Sequence, residues 1–85
     1  MSESRVSVRI EVYQYVATQR RAERERIIRW IESLQHKNFE TGDYTERDES
    51  DRVVQVKIID RHALSFWHDG PVSEFKVIGI ELADA

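Results

Sequence analysis

Apolar and polar residues alternate at the start of the chain. Val6, Val8, Ile10 and Val12 fall on one side and Ser7, Arg9 and Glu11 on the other, which predicts a strand over 6–12 with one buried face. Alternation alone leaves open whether Tyr13, Tyr15 and Val16 extend it or begin the next turn. Thr18 is then placed to cap a helix, its hydroxyl accepting from an early backbone N–H. From about 19 to 36 there is no Gly or Pro, and Ile27, Trp30, Ile31 and Leu34 recur at i, i+3, i+4 and i+7, the spacing of one helical face. That face is expected to pack on a sheet. Gln35-His36-Lys37-Asn38-Phe39 ends the helix, and Gly42 opens the connection to the second half of the chain.

The second half carries three apolar runs rich in β-branched and aromatic residues: 53–59, 63–67 and 74–82. Before them, the stretch 42–52 has too much charge and too little apolar content for a core strand and reads as an exposed loop. Asp60-Arg61 fits a tight connection between the first two runs, and Asp69-Gly70-Pro71 a turn between the last two, so the three strands are antiparallel. Alternation puts His62, Leu64, Phe66 and His68 on one face and Ala63, Ser65, Trp67 and Asp69 on the other, without saying which face meets the helix. In the last run Phe75 and Val77 oppose Ile78 and Ile80, which implies either two covered faces or a bulge near Gly79. The chain thus reads as one α+β domain, residues 1–85: an N-terminal strand, a helix, then a three-stranded antiparallel meander in one sheet.

Composition narrows the function classes. Eighty-five residues bury only a modest core, and the lack of cysteine excludes disulfides, thiolate metal sites and a thiol nucleophile. No apolar run approaches the roughly 20 residues needed to span a bilayer, and Met1-Ser2-Glu3-Ser4-Arg5 is not a signal sequence, so a soluble, cytoplasmic protein with no membrane association is expected. The net charge of −3 is unevenly spread, with Arg20, Arg21, Arg24, Arg26 and Arg29 on the helix and Glu40, Asp43, Glu46, Asp48, Glu49 and Asp51 around the loop. A general nucleic-acid binder would carry a basic excess, which this chain lacks as a whole. Arg21 with Glu25, and Glu25 with Arg29, sit four apart and read as ion pairs on a solvated helix surface.

The segment Gly42-Asp43-Tyr44-Thr45-Glu46-Arg47-Asp48, followed by Arg52, Val54-Gln55-Val56-Lys57-Ile58, Ala63-Leu64-Ser65-Phe66-Trp67-His68-Asp69 and Ile80-Glu81-Leu82-Ala83-Asp84, resembles the RelE/ParE superfamily of bacterial toxin–antitoxin toxins. In that superfamily an N-terminal strand and helical segment precede an antiparallel hairpin and a final strand, and the concave face of the sheet does the work. The resemblance implies an antitoxin partner and, as targets, either a topoisomerase met by contact or ribosome-bound messenger RNA that is cleaved. Cleavage needs a base for the ribose 2′-OH, cations for the developing phosphorane and an acid for the leaving oxygen. Lys57 falls where cleaving members often carry a basic side chain. The arginine expected on the next strand meets Ala63, or Arg61 if the register slips by two. Where a further Arg, His or Tyr would follow, this chain has Ala83-Asp84-Ala85, so the C-terminal catalytic segment looks absent and the resemblance leans toward protein binding without catalysis.

If the chain is an endoribonuclease, its working groups are expected to be Lys57, Arg61, His68 and Glu46. His62 and His68, six apart on one strand, lie roughly 20 Å from each other by strand rise and cannot share a metal. The loop carboxylates lack the spacing of a calcium loop, so no metal or cofactor is expected. Trp30 and Trp67 read as core or interface residues, and Trp67, Arg21 and Arg24 are the candidates for partner binding. Outside the toxin class, the chain reads as a small interaction domain that dimerises through an exposed edge such as 6–12.

Overall fold

A computed structural model describes residues 3–83. The elements run in the order β1 (Arg5–Val8), α1 (Ile10–Ala17), α2 (Arg21–Ser33) with a closing 3₁₀ turn (Leu34–His36), β2 (Tyr44–Arg47), β3 (Val53–Ile59), β4 (His62–Asp69) and β5 (Glu74–Leu82). The five strands form one mixed sheet in the order β1-β5-β4-β3-β2. β1 is parallel to β5, and the other neighbours are antiparallel. The α+β class and the single sheet agree with the sequence reading, and β3 and β5 occupy the expected residues. Asp84 and Ala85, part of the closing segment, lie outside the described residues.

Three expectations are corrected. First, the strand over 6–12 is only Arg5–Val8, and Ile10–Ala17 is helical. Val8, Val12 and Val16 are spaced by four, so the alternation that suggested a long strand is also a helical stripe once the backbone turns at Arg9. Val12 and Val16 are buried, Val6 and Val8 pack against the same core, and Ile10 stays exposed. A long exposed edge over 6–12 therefore does not exist. Second, Thr18 ends α1 instead of starting α2: its N–H and its hydroxyl both donate to the Tyr15 carbonyl, the latter at 2.7 Å. Third, part of the acidic stretch is a strand. β2 pairs with β3 at Tyr44↔Val56 through Arg47↔Val53, with all four of its residues exposed. A strand held by backbone bonds alone leaves no hydrophobic alternation to read.

The apolar stripe of α2 behaves as its spacing predicts. Ile27 and Leu34 are fully buried, and Trp30 and Ile31 pack against the core with Leu64, Phe66, Phe75 and Val77 from the sheet. Trp30 meets Phe66 edge-on at 5.1 Å. Both helices thus cover one sheet face, that of His62, Leu64, Phe66 and His68. Phe75 and Val77 lie on this face together with Ile80, because the β4–β5 register shifts between Ser65 and Phe66. Ser65 pairs with Gly79 and Phe66 with Val77, so Ile78 is the extra residue of a β-bulge.

The turns use left-handed backbone. Asp60, in the two-residue β3–β4 connection, has φ 57°, and Ser73, before β5, has φ 52°. Gly42 enters β2 so close to β3 that a Cβ there would lie 2.3 Å from the Val56 carbonyl oxygen. Just before β2 begins, the Asp43 carboxylate accepts from the Ile58 N–H at 2.7 Å, standing in for a strand where the ladder stops.

Candidate functional site

The sheet face away from the helices buries Val54, Val56 and Ala63 and carries polar side chains around them. Alternation from the register places Ser7 beside Lys76, Lys76 beside Trp67, and Ser65 beside Gly79. Arg9, just past β1, and Glu46 on β2 join this face. The loop 47–52 folds back toward it, and together they enclose a cleft of about 340 Å³ lined by Arg9, Glu46, Arg52, Ser65, Ile78 and Glu81, among others. A shallower neighbouring hollow shares Arg9, Arg52 and Ile78 with that cleft and adds Trp67 and Lys76. The extra residue of the bulge, Ile78, sits at the junction of the two.

At the centre of this surface the half-buried Trp67 ring lies between two cations. The Arg52 guanidinium is 4.5 Å from the ring centroid and the Lys76 ammonium 5.0 Å. Each cation is itself held. Arg52 bridges to Asp48 at 3.2 Å, while Lys76 bridges to Asp69 at 3.1 Å and to Glu74 at 3.7 Å. Asp48 in turn accepts from the backbone N–H groups of Arg52 and Ser50, each at 2.9 Å. Those bonds, Arg52 first, hold its carboxyl below the usual aspartate value. Arg9 is exposed and has no ion-pair partner among the described residues. The arrangement presents a fixed aromatic with a cationic surround, the composition of a contact surface, and sets no imidazole beside it as a base.

The four residues expected for ribonuclease chemistry do not converge. Glu46 pairs with Val54 and lies on the open face, whereas Lys57 pairs with Leu64 and lies on the helix side. Arg61 sits in the β3–β4 turn, bridged to Glu23 at 3.3 Å. His68 is on the helix side, its ring 4.5 Å from Phe75, with Nε2 buried and lacking a hydrogen-bond partner. Of the expected partner-binding residues, Trp67 is on the open face. Arg21 and Arg24 are on α2, the first paired with Glu25 at 3.0 Å and the second donating to the Gln19 carbonyl at 3.2 Å. Arg9 and Arg52 went unrecognised in the sequence as members of this surface. The signal available was positional: Arg9 continues the polar phase of Ser7, and Arg52 abuts the strand that carries Val54.

A second polar cluster joins the helices to the sheet. His62 on β4 is completely buried, with Nδ1 2.8 Å from the Tyr15 hydroxyl of α1 and Nε2 2.7 Å from Glu23 of α2. The ionised Glu23 accepts from Nε2–H, so in the neutral ring Nδ1 accepts from the Tyr15 O–H. The His62 bond is the main reason the Glu23 carboxyl lies below its ordinary value, with Arg61 adding to it. Burial raises the Tyr15 phenol, against the pull of Arg61. Every member has its partner within the protein, which makes this cluster a fastener between three elements.

Comparison with protein-family models, curated proteins and solved structures finds no match. Among the described residues, no helix is long and apolar enough to cross a membrane.

Proposed function

We propose that this chain is a toxin-like component of a bacterial toxin–antitoxin module, similar to the RelE/ParE superfamily, and that it acts by protein contact through the open face of its sheet. The element order supports the reading: a strand and a helical segment precede antiparallel strands, and both helices pack on one face of the sheet. The single observation that carries it is Trp67, half-buried between Arg52 and Lys76 in the middle of the open face. A large aromatic with neighbouring cations is the composition of an interface anchor. The scatter of Lys57, Arg61, His68 and Glu46 over both faces favours contact over ribonuclease chemistry with that set.

Growth of bacteria after controlled induction tests the proposal. The wild-type chain should arrest growth, Trp67→Ala should relieve the arrest at equal soluble expression, and Lys57→Ala and His68→Ala should still arrest. Normal growth with well-expressed wild-type protein would refute a toxin. Arrest accompanied by messenger RNA cleavage that Lys57→Ala or His68→Ala abolishes would establish the endoribonuclease instead.

A further inference from the structure

The cluster at His62 has the connectivity of an acid–base relay as well as that of a fastener. Glu23, 2.7 Å from Nε2, holds the imidazole in the tautomer whose Nδ1 lone pair faces the Tyr15 hydroxyl at 2.8 Å. Hydroxyl, imidazole and carboxylate in that order, each within hydrogen-bond reach of the next, form the arrangement that makes a weak nucleophile reactive. His62 is completely buried and Tyr15 is half-buried on α1, so the relay runs from the interior to a residue that solvent reaches. The two rings meet edge-on at 86°, which fixes the phenol against the imidazole. Burial raises the phenol above its ordinary value; Arg61 opposes this, and Glu23 and Glu81 add to it. Near neutral pH the hydroxyl therefore keeps its proton and needs a base to react. Tyr13 and Tyr44 are more exposed, at 57% and 48%, and neither has an imidazole partner among the described residues.

We infer that Tyr15 is an acyl-accepting nucleophile, with His62 as its general base and Glu23 as the positioning residue, and that its substrate class is an activated ester or thioester. The phenol oxygen attacks the carbonyl carbon while its proton passes to His62 Nδ1. The alcohol or thiol then leaves, taking that proton as its bond to the acyl carbon breaks. The product is an aryl ester of Tyr15, which water hydrolyses to restore the phenol and release the acid. A neutral acyl donor suits the site better than a phosphoryl donor, whose negative charge would meet Glu23 and Glu81 while Arg61 is bridged to Glu23 at 3.3 Å. The inference does not depend on what the open face meets.

The test is brief treatment of the intact chain with 4-nitrophenyl acetate, quenched in acid and mapped by tandem mass spectrometry. Tyr15 should gain its acetyl group at least about tenfold faster than Tyr13 or Tyr44 in the same molecules, a small share of the roughly 10²–10⁴-fold that a placed base supplies. From about pH 8 to about pH 10 the Tyr13 and Tyr44 rates should rise with hydroxide, whereas the Tyr15 rate should stay level, because an imidazole takes its proton. Glu23→Gln keeps the size of the side chain and loses the charge that selects the tautomer. At a temperature where its amide spectrum matches wild type, it should slow Tyr15 alone by at least about tenfold and make that rate climb with pH like the others. The wild-type pH profile decides the matter even if the variant does not fold. Acetylation of Tyr15 no faster than that of Tyr13 and Tyr44, a wild-type Tyr15 rate that follows hydroxide, or one that folded Glu23→Gln leaves unchanged would overturn the inference and leave the cluster purely structural.

Discussion

Replacing His62 by Ala should be among the most damaging single changes to this fold. The ring is completely buried and joins β4 to both helices through bonds of 2.8 and 2.7 Å. Removing a buried side chain of roughly leucine size costs about 2–5 kcal/mol in lost contacts and residual cavity. Loss of the Tyr15 bond adds about 0.5–1.5 kcal/mol. The edge-on Tyr15 ring, 5.5 Å from the imidazole, also loses its neighbour. Against the roughly 5–15 kcal/mol by which small domains are stable, this brings the variant close to unfolding. At about 4–8 °C per kcal/mol for a domain of this size, the melting temperature should fall by at least roughly 10 °C. Tyr15→Phe keeps the ring and removes one hydroxyl, so it should cost only about 0.5–1.5 kcal/mol. Urea and thermal unfolding of the wild type and both variants measure these differences. A His62→Ala midpoint within about 1 kcal/mol of wild type, or a Tyr15→Phe loss as large as that of His62→Ala, would refute the idea of a buried fastener.

Two further outcomes rest on the same physics. Glu23 and Asp48 both have carboxyl groups below their ordinary values of 4.5 and 3.8, so their contribution to stability is present above those values and is lost as pH falls through the lower folded values. Unfolding midpoints should therefore fall as the solution is acidified below about pH 4.5, and Glu23→Gln should flatten that acid limb; an unchanged limb would remove Glu23 from the account. Gly42→Ala places a methyl against the Val56 carbonyl, where backbone must move, and should destabilise by about 1–3 kcal/mol, with the earliest loss of amide protection over Tyr44–Arg47. A neutral Gly42→Ala would mean that the β2 entry relaxes freely.

Much of the fold could be read from residues whose pattern has a single physical meaning. Ile27, Trp30, Ile31 and Leu34 have a helical spacing that no strand would use, and the runs that became β3 and β5 are too short and too β-branched for a helix. The misread elements lacked that uniqueness. Val6 to Val16 satisfies a strand and a helix in succession, and the change occurs at Arg9, where the backbone is extended and no Gly, Pro or capping side chain marks it. Residues 44–47 bury nothing, so their strand came from pairing alone. On the candidate surface, Trp67 is singled out by the sequence for partner binding, whereas Glu46 reads as a loop residue with a ribonuclease role and lies on β2. The side of the sheet occupied by Lys57 was not recoverable, because it depends on the Lys57↔Leu64 register, a long-range fact.

The bulge at Ile78 separates the shape of the open face from the stability of the core. Core side chains resume on the far side of the extra residue with Ile80 in phase, and Gly79 is already opposite Ser65. Deleting Ile78 would therefore leave a continuous, regular strand with every remaining inward residue still inward. The casualty would be local shape: the strand would lose the extra bend and twist of a bulge, and the cleft and the hollow would lose Ile78, which lines both. A single codon thus adjusts how this surface is bent, and a chain shortened there could fold as well as its parent while presenting a different contour to whatever it meets.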